Sequence, residues 1–400
     1  MTILVADNIA NVGIEALRSA GHTVAFQPEL SGEALIDALR SEVPDVLIVR
    51  STQVTAEALE ASPDLALIVR AGAGYDTIDV SGAAQRGIFV ANCPGRNSVA
   101  VAELTMGLIV ALDRRIPDNV IDARAGQWNK KEYAQAEGLK GRTLGIIGLG
   151  NIGTEVMHRA QAFDLDVIAW SRSLTPERAE AQDIGHRSSP EAVAEDASIV
   201  TLHVASTPDT KHLADRDFFA ALPDGALFVN TTRAAVVDED ALAWAMDEKN
   251  ILAAVDLVEG EPASKQAEFD HPLAGHPNLY MTHHIGASTQ QALDATALEA
   301  ARVVRTFDEA GDVPNCVNLA AQTEASYQLT VRHKDKVGVL AGVLDEVRRA
   351  NWNIQEMSNR IFEGGEAAVA SIRFAGTYDE DAIARIEGRD DVFAVSANEL

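Results

Sequence analysis

The stretch TLGIIGLGNIG, residues 143–153, decides the fold of this chain. A short apolar segment runs directly into the pattern G-x-G-x-x-G, which is typical of the turn between a strand and a helix in a dinucleotide-binding unit. We expect Gly148 to allow a tight turn, Gly150 to let the backbone approach a pyrophosphate, and Gly153 to pack the helix closely on its strand. Residues 154–163 are predicted to form that helix, whose N-terminal N–H groups would bind the phosphates.

On both sides of this turn, apolar strands alternate with amphipathic helices. Residues 2–100 contain five or six short apolar segments, and they predict a parallel sheet with helices on both faces. This first half has the doubly wound, flavodoxin-like pattern but no glycine fingerprint. The segments after the fingerprint predict the further strands of a Rossmann sheet, at residues 168–170, 199–202, 227–229, 252–258 and 279–282.

The helix predicted over residues 289–310 would return to the first sheet, which makes the first domain discontinuous. We therefore expect a substrate-binding body domain from residues 1–96 and 287–318, and a dinucleotide-binding Rossmann domain from residues 97–286. After a polar linker, residues 323–400 follow the order strand, helix, strand, strand, helix, strand, which is the split βαβ plan. The predicted fold class is α/β, with two doubly wound parallel-sheet domains and a C-terminal βαββαβ domain.

Composition and charge exclude several classes of function. The chain has 60 Asp and Glu residues against 33 Lys and Arg, a net charge of −27, which would repel nucleic acid phosphates and anionic lipids. It has no signal-peptide pattern and no segment near the roughly 18 apolar residues of a membrane span. Cys93 and Cys316 fit no metal-binding spacing. We expect a cytoplasmic protein with reduced thiols, no metal, and no nucleic-acid or membrane partner. The acidity is consistent with either a saline habitat or an ordinary solvated surface.

Three chemically versatile residues follow predicted strands of the second sheet. Arg233, Glu261 and His284 would all lie at carboxyl ends of strands, beside the crevice that takes a dinucleotide. An arginine can bind a carboxylate through two parallel hydrogen bonds, and an imidazole can take a hydroxyl proton while hydride leaves. A carboxylate beside the imidazole favours its protonated form. Taken singly, these residues are also consistent with a surface ion pair, a turn and a loop histidine; together they favour oxidation of a 2-hydroxy acid.

From Arg50 to Asn318 the chain resembles the D-isomer-specific 2-hydroxyacid dehydrogenases. The segments that carry the resemblance are VRSTQVTAEAL from residue 49, VRAGAGYDTIDV from 69, PGRNSVAVAEL from 94, GIIGLGNIG from 145, NTTRAAVVDEDAL from 230, DLVEGEP from 256 and HHIGAST from 283. The resemblance implies that Arg233 binds the substrate carboxylate, that His284 is the acid/base, and that Glu261 is its partner. It further implies that Asn151, Ile152, Thr231, Thr232, Asp256 and Gly286 line the cofactor site, with Asp256 near the nicotinamide amide.

Within that family, the chain is most similar to the members that oxidise 3-phosphoglycerate to 3-phosphohydroxypyruvate, the entry to L-serine synthesis. Arg50, Arg70 and Asn97 fall where the family's substrate domain faces the cleft, and two guanidiniums there could hold a phosphate. The alternative is that they are ordinary strand-end residues. Two other functions remain open: a hydroxypyruvate or glyoxylate reductase, and a non-catalytic nucleotide-sensing scaffold, which would predict damage to the Arg233, Glu261 and His284 set.

The cofactor and the catalytic histidine each carry an open alternative. The resemblance implies NAD, yet Ser171 followed by Arg172 stands where the ribose-binding aspartate is expected, 23 residues after Gly148. A small hydroxyl followed by an arginine could accommodate a 2′-phosphate, so NADP is a second hypothesis. His283 precedes His284, and Ile285-Gly286 after the pair favours His284.

The C-terminal module resembles an ACT regulatory domain. Residues 333–340 form the predicted loop and first helical turn where a small amino acid would bind, with His333 and Asp335 as candidate contacts and Asn353 opposite. The resemblance implies L-serine as an effector. The alternative is that the module only joins subunits, and in either case we expect a homodimer or homotetramer.

Overall fold

The computed structural model describes residues 1–262 and 267–400. The chain divides into two compact units, Met1–Asn318 and Leu319–Leu400. Within the described ranges, no helix has both the length and the apolar character needed to cross a membrane.

The first sheet of the larger unit has five parallel strands in the order β2-β1-β3-β4-β5. Its strands are β1 (Thr2–Val5), β2 (Thr23–Phe26), β3 (Val46–Val49), β4 (Leu67–Arg70) and β5 (Phe89–Ala91). The connecting helices are α1 (Asn11–Ser19), α2 (Glu33–Glu42), α3 (Ala56–Glu60) and α4 (Val80–Gln85). Every residue of β3 is buried, as expected for a central parallel strand covered on both faces. The order is that of flavodoxin-like sheets, so the predicted fold class of the first half is confirmed.

The second sheet has seven parallel strands in the order β12-β11-β10-β9-β6-β7-β8, the doubly wound Rossmann arrangement. Its strands are β6 (Thr143–Ile147), β7 (Asp166–Trp170), β8 (Gly185–His186), β9 (Ile199–Leu202), β10 (Leu227–Asn230), β11 (Leu252–Val255) and β12 (Leu279–Met281). The helices between the first strand of this sheet and its last are α8 (Asn151–Ala162), α9 (Pro176–Glu180), α10 (Pro190–Asp196), α11 (Arg216–Ala221) and α12 (Glu239–Glu248). The Rossmann prediction is confirmed.

Among the predicted element boundaries that differ from the structure, two matter for the site. The helix after the fingerprint begins at Asn151 rather than Thr154, so the last glycine of the fingerprint belongs to its first turn. Strand β11 ends at Val255 rather than Val258, which leaves Asp256 in the loop that follows.

Three helices, α5 (Ser98–Arg114), α6 (Ile116–Arg124) and α7 (Lys130–Tyr133), precede the second sheet, and α13 (Gln290–Ala310) follows it. Helix α5 packs against α8 and strands β10 and β11, whereas α13 packs on α1 and β4 of the first sheet. The contact of α13 with α1 is very close, since a Cβ on Gly13 would lie 2.7 Å from the carbonyl oxygen of Ala297. The chain therefore crosses from one sheet to the other and back, while the residue boundaries expected for the two domains stay predictions.

The smaller unit has one antiparallel sheet in the order β14-β15-β13-β16. Its elements are β13 (Tyr327–Lys334), α14 (Val339–Arg349), β14 (Asn353–Ile361), β15 (Ala367–Ala375), α15 (Glu380–Glu387) and β16 (Val392–Glu399), which confirms the predicted βαββαβ order. One face of the sheet buries Leu329, Val331, Ile372 and Phe374 against the two helices, so this unit has its own hydrophobic core.

Candidate active site

The three fingerprint glycines differ in what a side chain would meet at each position. Gly148 has a left-handed φ of 98°, and a Cβ there would lie 2.5 Å from the carbonyl oxygen of His203. A Cβ on Gly150 would meet nothing within 4 Å, so the turn is open on the side where a pyrophosphate would approach. A Cβ on Gly153 would lie 2.1 Å from the carbonyl oxygen of Gly148, which fixes how closely α8 can pack.

The N-terminus of α8 has the features of a phosphate site. Gly150, at the N-cap, contributes no side-chain hydrogen bond, and Asn151 and Ile152 open the helix. The N–H groups of this first turn are thus available to an anion. The N–H of Gly148 donates to the carbonyl of Trp170 at 2.8 Å, which places Ser171 beside the turn at the end of β7. Ser171 is half-buried and Arg172 is exposed.

A buried asparagine shapes the turn that follows β10. Asn230 is 1% exposed, and its Oδ1 accepts hydrogen bonds from the N–H of Thr232 at 3.0 Å and from the Thr232 hydroxyl at 2.6 Å. Its Nδ2 donates to the carbonyl of Arg233 at 3.0 Å, and the hydroxyls of Thr231 and Thr105 lie 3.0 Å apart. This turn presents Arg233 at the carboxyl edge of the sheet. Asn230 was missed as a site residue, although it opens one of the motifs that carry the family resemblance.

Arg233 bridges to the loop that follows β4 of the first sheet. Its Nε donates to Asp76 Oδ2 at 3.3 Å and its Nη1 donates to the carbonyl of Thr232 at 2.8 Å. Its Nη2 lies against Gly74, where a Cβ would stand 2.2 Å away. The sequence alone gave no reason to select Gly74 or Asp76, because their role depends on the approach of a side chain 157 residues distant along the chain.

The predicted imidazole–carboxylate pair is formed in the structure. Nδ1 of His284 lies 2.9 Å from Oε1 of Glu261, and both side chains are about half exposed. The carboxylate accepts the proton on Nδ1, which leaves Nε2 as the basic nitrogen of a neutral imidazole. His284 has a left-handed backbone with φ of 50°, which is uncommon for a residue with a side chain and is found at sites where the surrounding structure enforces it.

Asp256 supplies that enforcement. Its carbonyl accepts the N–H of His284 at 2.8 Å, its Oδ1 accepts the Thr282 hydroxyl at 2.6 Å and the N–H of Ile285 at 2.9 Å, and its Oδ2 accepts the N–H of Gly286 at 2.8 Å. The side chain is 1% exposed. Both carboxylate oxygens are therefore used in holding the loop that carries His284. The expected contact of Asp256 with the nicotinamide amide stays a prediction.

A cavity of about 420 Å³ brings four of the predicted residues together: Arg50, Arg70, Asn97 and His284. Burial, together with the positive charges of Arg233 and Arg50, lowers the pKa of the Arg70 guanidinium. Arg70 Nε and Asn97 Oδ1 are buried, and the described part of the chain offers neither of them a hydrogen-bond partner. Buried polar atoms without partners are uncommon in folded proteins, and here they belong to residues that line the cavity.

Asp7 fixes the loop that carries Arg50. Its Oδ2 accepts the backbone N–H groups of Arg50, Ser51 and Thr52 at 2.6, 3.0 and 2.9 Å. Burial opposes ionisation of this carboxyl, but the three hydrogen bonds outweigh it and lower its pKa. Asp7 stands at the end of the first apolar strand, and no motif in the sequence distinguishes it.

The smaller unit corrects one predicted regulatory contact. Strand β13 continues through Lys334, so His333 lies in the sheet and not in a loop. Its ring is 2% exposed, with Nδ1 2.9 Å from the carbonyl of Lys334 and Nε2 3.2 Å from Asn359 Oδ1. His333 is thus a buried core group, whereas Asp335 and Asn353 are exposed.

Asp335 and Asn353 lie at opposite ends of this sheet. Asn353 pairs with Ala375, and Lys334, next to Asp335, pairs with Ala367. At about 3.3 Å per residue, the two ends are roughly 26 Å apart, which is too far for one small amino acid to contact both within one chain.

Proton transfer at an imidazole beside a dinucleotide turn is the chemistry of nicotinamide-dependent dehydrogenases, and that is the class that this fold and site define. Residues 106–286 match the model of the D-isomer specific 2-hydroxyacid dehydrogenase, NAD binding domain. The chain is 39% identical over 281 residues to the hydroxypyruvate reductase of Thermotoga maritima, a match that covers 69% of this chain and 88% of that protein. The chain belongs to the D-isomer-specific 2-hydroxyacid dehydrogenase family, and NAD is the cofactor of the domain it carries.

Further relatives and solved structures are consistent with this family assignment. The D-3-phosphoglycerate dehydrogenases of Methanocaldococcus jannaschii and Bacillus subtilis are 37% and 34% identical over 79% and 81% of this chain. The chain spans about three fifths of the length of these two relatives, 59% and 60%. A Thermus thermophilus crystal structure matches with a TM-score of 0.71 and 30% identity, over 79% of this chain and all of that one. The NAD⁺-bound 3-phosphoglycerate dehydrogenase of Entamoeba histolytica matches with a TM-score of 0.66 and 26% identity, over 80% and 99% of the two chains.

Proposed function

We propose that this protein oxidises D-3-phosphoglycerate to 3-phosphohydroxypyruvate with NAD, in the synthesis of L-serine. The observation that carries the proposal is the clustering of Arg50 and Arg70 in the cavity that His284 also lines; burial lowers the pKa of Arg70, and the nearby positive charge of Arg233 adds to this effect. One arginine suffices for the carboxylate of a 2-hydroxy acid. Two further guanidiniums in a chain of net charge −27 match a second anionic group on the same substrate.

The acid/base pair supplies the proton transfer. His284 Nε2 removes the proton of the C2 hydroxyl, and the resulting imidazolium is stabilised by Glu261, 2.9 Å from Nδ1. The first turn of α8, at Asn151 and Ile152, would hold the pyrophosphate of NAD, and the chemistry that NAD would supply there is acceptance of the hydride from C2. The products are a ketone, NADH and a protonated His284, so one proton and one hydride leave the substrate as its hydroxyl becomes a carbonyl. Arg233 would hold the carboxylate next to C2, while Arg50 and Arg70 would hold the phosphate at the other end of the molecule.

A second candidate, reduction of hydroxypyruvate or glyoxylate, is favoured by the 88% coverage of the hydroxypyruvate reductase relative. These substrates lack the phosphate, so the two functions differ in what Arg50 and Arg70 would bind. The non-catalytic scaffold is the least favoured reading, because the His284–Glu261 pair is intact. A formate dehydrogenase is disfavoured by the carboxylate of Glu261 beside the imidazole.

Initial rates of oxidation of 3-phosphoglycerate and glycerate, and of reduction of 3-phosphohydroxypyruvate, hydroxypyruvate and glyoxylate, test the proposal. We expect 3-phosphoglycerate to be oxidised well, and Arg50→Ala to raise its KM by about 10- to 100-fold while the KM for glycerate changes little, since only the phosphate contact is lost. Arg40→Ala, which changes an exposed arginine of α2, is the control. If hydroxypyruvate or glyoxylate reacts well while both phosphorylated compounds are inert, the second candidate replaces the first.

The same assay with NADP tests the alternative raised by Ser171 and Arg172. Arg172 is exposed and follows β7, next to the fingerprint turn. We expect NAD to be preferred, and Arg172→Ala to weaken any activity with NADP without affecting activity with NAD.

We also infer that the smaller unit is an ACT-like regulatory module with L-serine as its effector, in a homodimer or homotetramer. Its βαββαβ order and four-stranded antiparallel sheet support the resemblance to that domain. Because Asp335 and Asn353 lie at opposite ends of the sheet, a serine site that used both would take one residue from each of two chains. The cytoplasmic location stays a prediction.

A further inference from the structure

The loop between β11 and β12 carries Glu261, and two other residues of this loop, Glu259 and His271, contact the first turn of α12. Glu239, the first residue of α12, lies at the base of this loop and has no role assigned above. Its side chain is only 20% exposed, although it is a carboxylate in the first turn of a helix, where an exposed position would be ordinary.

Each carboxylate oxygen of Glu239 contacts a different residue of this loop, one before Glu261 in the sequence and one after it. Oε1 accepts the backbone N–H of Glu259 at 2.7 Å, two residues before the catalytic carboxylate. Oε2 lies 3.1 Å from Nε2 of His271, ten residues after it, on a side chain that is 8% exposed. One carboxylate therefore ties together the two arms of the loop that presents Glu261 to His284.

The hydrogen bonds of the His271 ring determine which group donates in its contact with Glu239. Its Nδ1 accepts the backbone N–H of Leu273 at 3.3 Å, so in the neutral ring the proton is on Nε2 and is donated to Glu239. The ring is also stacked on Phe269, with centroids 5.7 Å apart, and Leu273 is buried in the core of the second sheet. The second arm is thus fixed to the sheet, and Glu239 links the first arm to it.

We propose that Glu239 is a positioning residue that sets Glu261 at hydrogen-bonding distance from His284. The proposal rests on the proposed dehydrogenase function of the same site. Gly260, between the tethered Glu259 and Glu261, has a left-handed φ of 72°, so the chain turns sharply at this point. Release of the Glu259 N–H from Glu239 would let the Glu261 carboxylate move away from Nδ1 of His284. The base would then lose the partner that stabilises its protonated form.

Paired substitutions in the first turn of α12 test the proposal in the full-length protein. Glu239→Ala removes both contacts, and Glu239→Gln keeps an oxygen for one donor but cannot accept from both. Asp240→Asn is the matched control, because Asp240 is an exposed carboxylate in the same turn and its loss has the same effect on the helix dipole. We expect kcat to fall about 10- to 100-fold in Glu239→Ala, less in Glu239→Gln and not at all in Asp240→Asn, with KM nearly unchanged.

Two further readouts separate positioning from a general structural role. The pKa on the acid limb of the kcat/KM profile should fall in Glu239→Ala, and by the same amount in Glu261→Gln. In the Glu261→Gln background, Glu239→Ala should cost nothing more, because the two residues act through one contact. Equal rates for Glu239→Gln and Asp240→Asn, or full additivity in the double variant, would overturn the proposal.

The positioning role of Glu239 can be tested even if 3-phosphoglycerate is not the substrate. The comparison uses whichever 2-hydroxy acid the wild-type protein oxidises best, so it does not depend on 3-phosphoglycerate. Thermal unfolding of each variant is measured alongside. If Glu239→Ala is unfolded, the near-isosteric Glu239→Gln decides the question.

Discussion

Two glycines outside the fingerprint, Gly72 and Gly74, make room for the arginines of the site. A Cβ on Gly72 would stand 1.4 Å from Nη1 of Arg70, and one on Gly74 would stand 2.2 Å from Nη2 of Arg233. Both glycines lie in one short loop after β4, so this loop determines where two guanidiniums can be. If the proposed function is correct, this loop also sets the distance between the two anionic ends of the substrate.

The substitution Gly74→Ala tests this steric role. Gly74 does not have a left-handed φ, so the methyl group should act by displacing the Arg233 guanidinium and not by straining the backbone. We expect kcat/KM to fall about 10- to 100-fold, as it does when a contact group is misplaced by about 1 Å. Gly107→Ala is the control, since a Cβ on Gly107 would meet nothing within 4 Å. An unchanged kcat/KM in Gly74→Ala would show that Arg233 does not need its observed position.

The adjacent histidines provide a matched pair for the acid/base assignment. His284→Ala should lower kcat by about 10² to 10⁴, because the proton acceptor is lost. His283→Ala should leave kcat within a few-fold of the wild type, since His283 is exposed and only His284 is paired with Glu261. Steady-state rates at saturating substrate decide between the two, and the opposite pattern would transfer the role to His283.

At the scale of elements, helix α13 is joined to the segment before α5 by a buried carboxylate. Glu299 is 5% exposed and accepts hydrogen bonds from Arg302 at 2.7 and 3.0 Å, from Arg96 at 2.8 Å and from Asn315 at 2.8 Å. The Arg302 hydrogen bonds lower its pKa to about 2 against the opposing effect of burial, with Asn315 and Arg96 contributing. Three separated parts of the chain are held at one point by this side chain.

Glu299→Gln should destabilise the protein in a pH-dependent way. Because the folded pKa lies below the ordinary value of 4.5, the stabilisation is fully present above about pH 4.5 and is lost as the pH falls towards about 2. We expect a loss of about 1–3 kcal/mol at neutral pH, and a difference from the wild type that shrinks on acidification. Urea unfolding at several pH values measures this, with Glu309→Gln, an exposed residue of the same helix, as control. A difference that does not depend on pH would contradict the assignment.

The sequence predicted elements well where apolar runs were short and bounded. Ile199–Leu202 is a strand with the predicted ends, because burial on both faces of a parallel sheet demands such a run. The prediction from the sequence was wrong where long-range contacts determine where a strand ends. Leu257 and Val258 look like a continuing strand, but Asp256 binds the His284 loop and the chain leaves the sheet there. His333 looked like a loop residue in a polar stretch, yet pairing with β15 and β16 keeps it in the strand.

The candidate catalytic residues were easier to predict from the sequence than the residues that position them. Arg233, Glu261 and His284 carry reactive groups in motifs that resemble a family. No such motif identifies Asp7, Asn230 or Glu239. Asp7 and Glu239 accept backbone N–H groups from segments that are distant in sequence. Asn230 accepts a backbone N–H group within a turn whose geometry cannot be read from the sequence.

At the scale of the whole molecule, the two units have separate cores, and none of the sheets that the described residues form contains strands of both units. A protein ending at Asn318 should therefore fold and keep its dehydrogenase activity, because the described site residues all lie before that point. If L-serine acts through the smaller unit, it should inhibit the full-length protein and leave the shortened one unaffected. Rates with and without L-serine, together with the mass of each form by light scattering, test this. Equal inhibition of both forms would place the effector site in the larger unit.

The return of α13 to the first sheet also has a consequence for the order of events during synthesis. The core of the first sheet combines residues such as Ile3 and Val69 with Ala297, Ala300 and Val304 of α13, so it stays incomplete until about three hundred residues have been made. The Rossmann sheet, in contrast, ends at Met281 and is available first. The Rossmann domain should thus be able to fold on the ribosome before the first sheet, which is made earliest but is completed only when α13 has been synthesised.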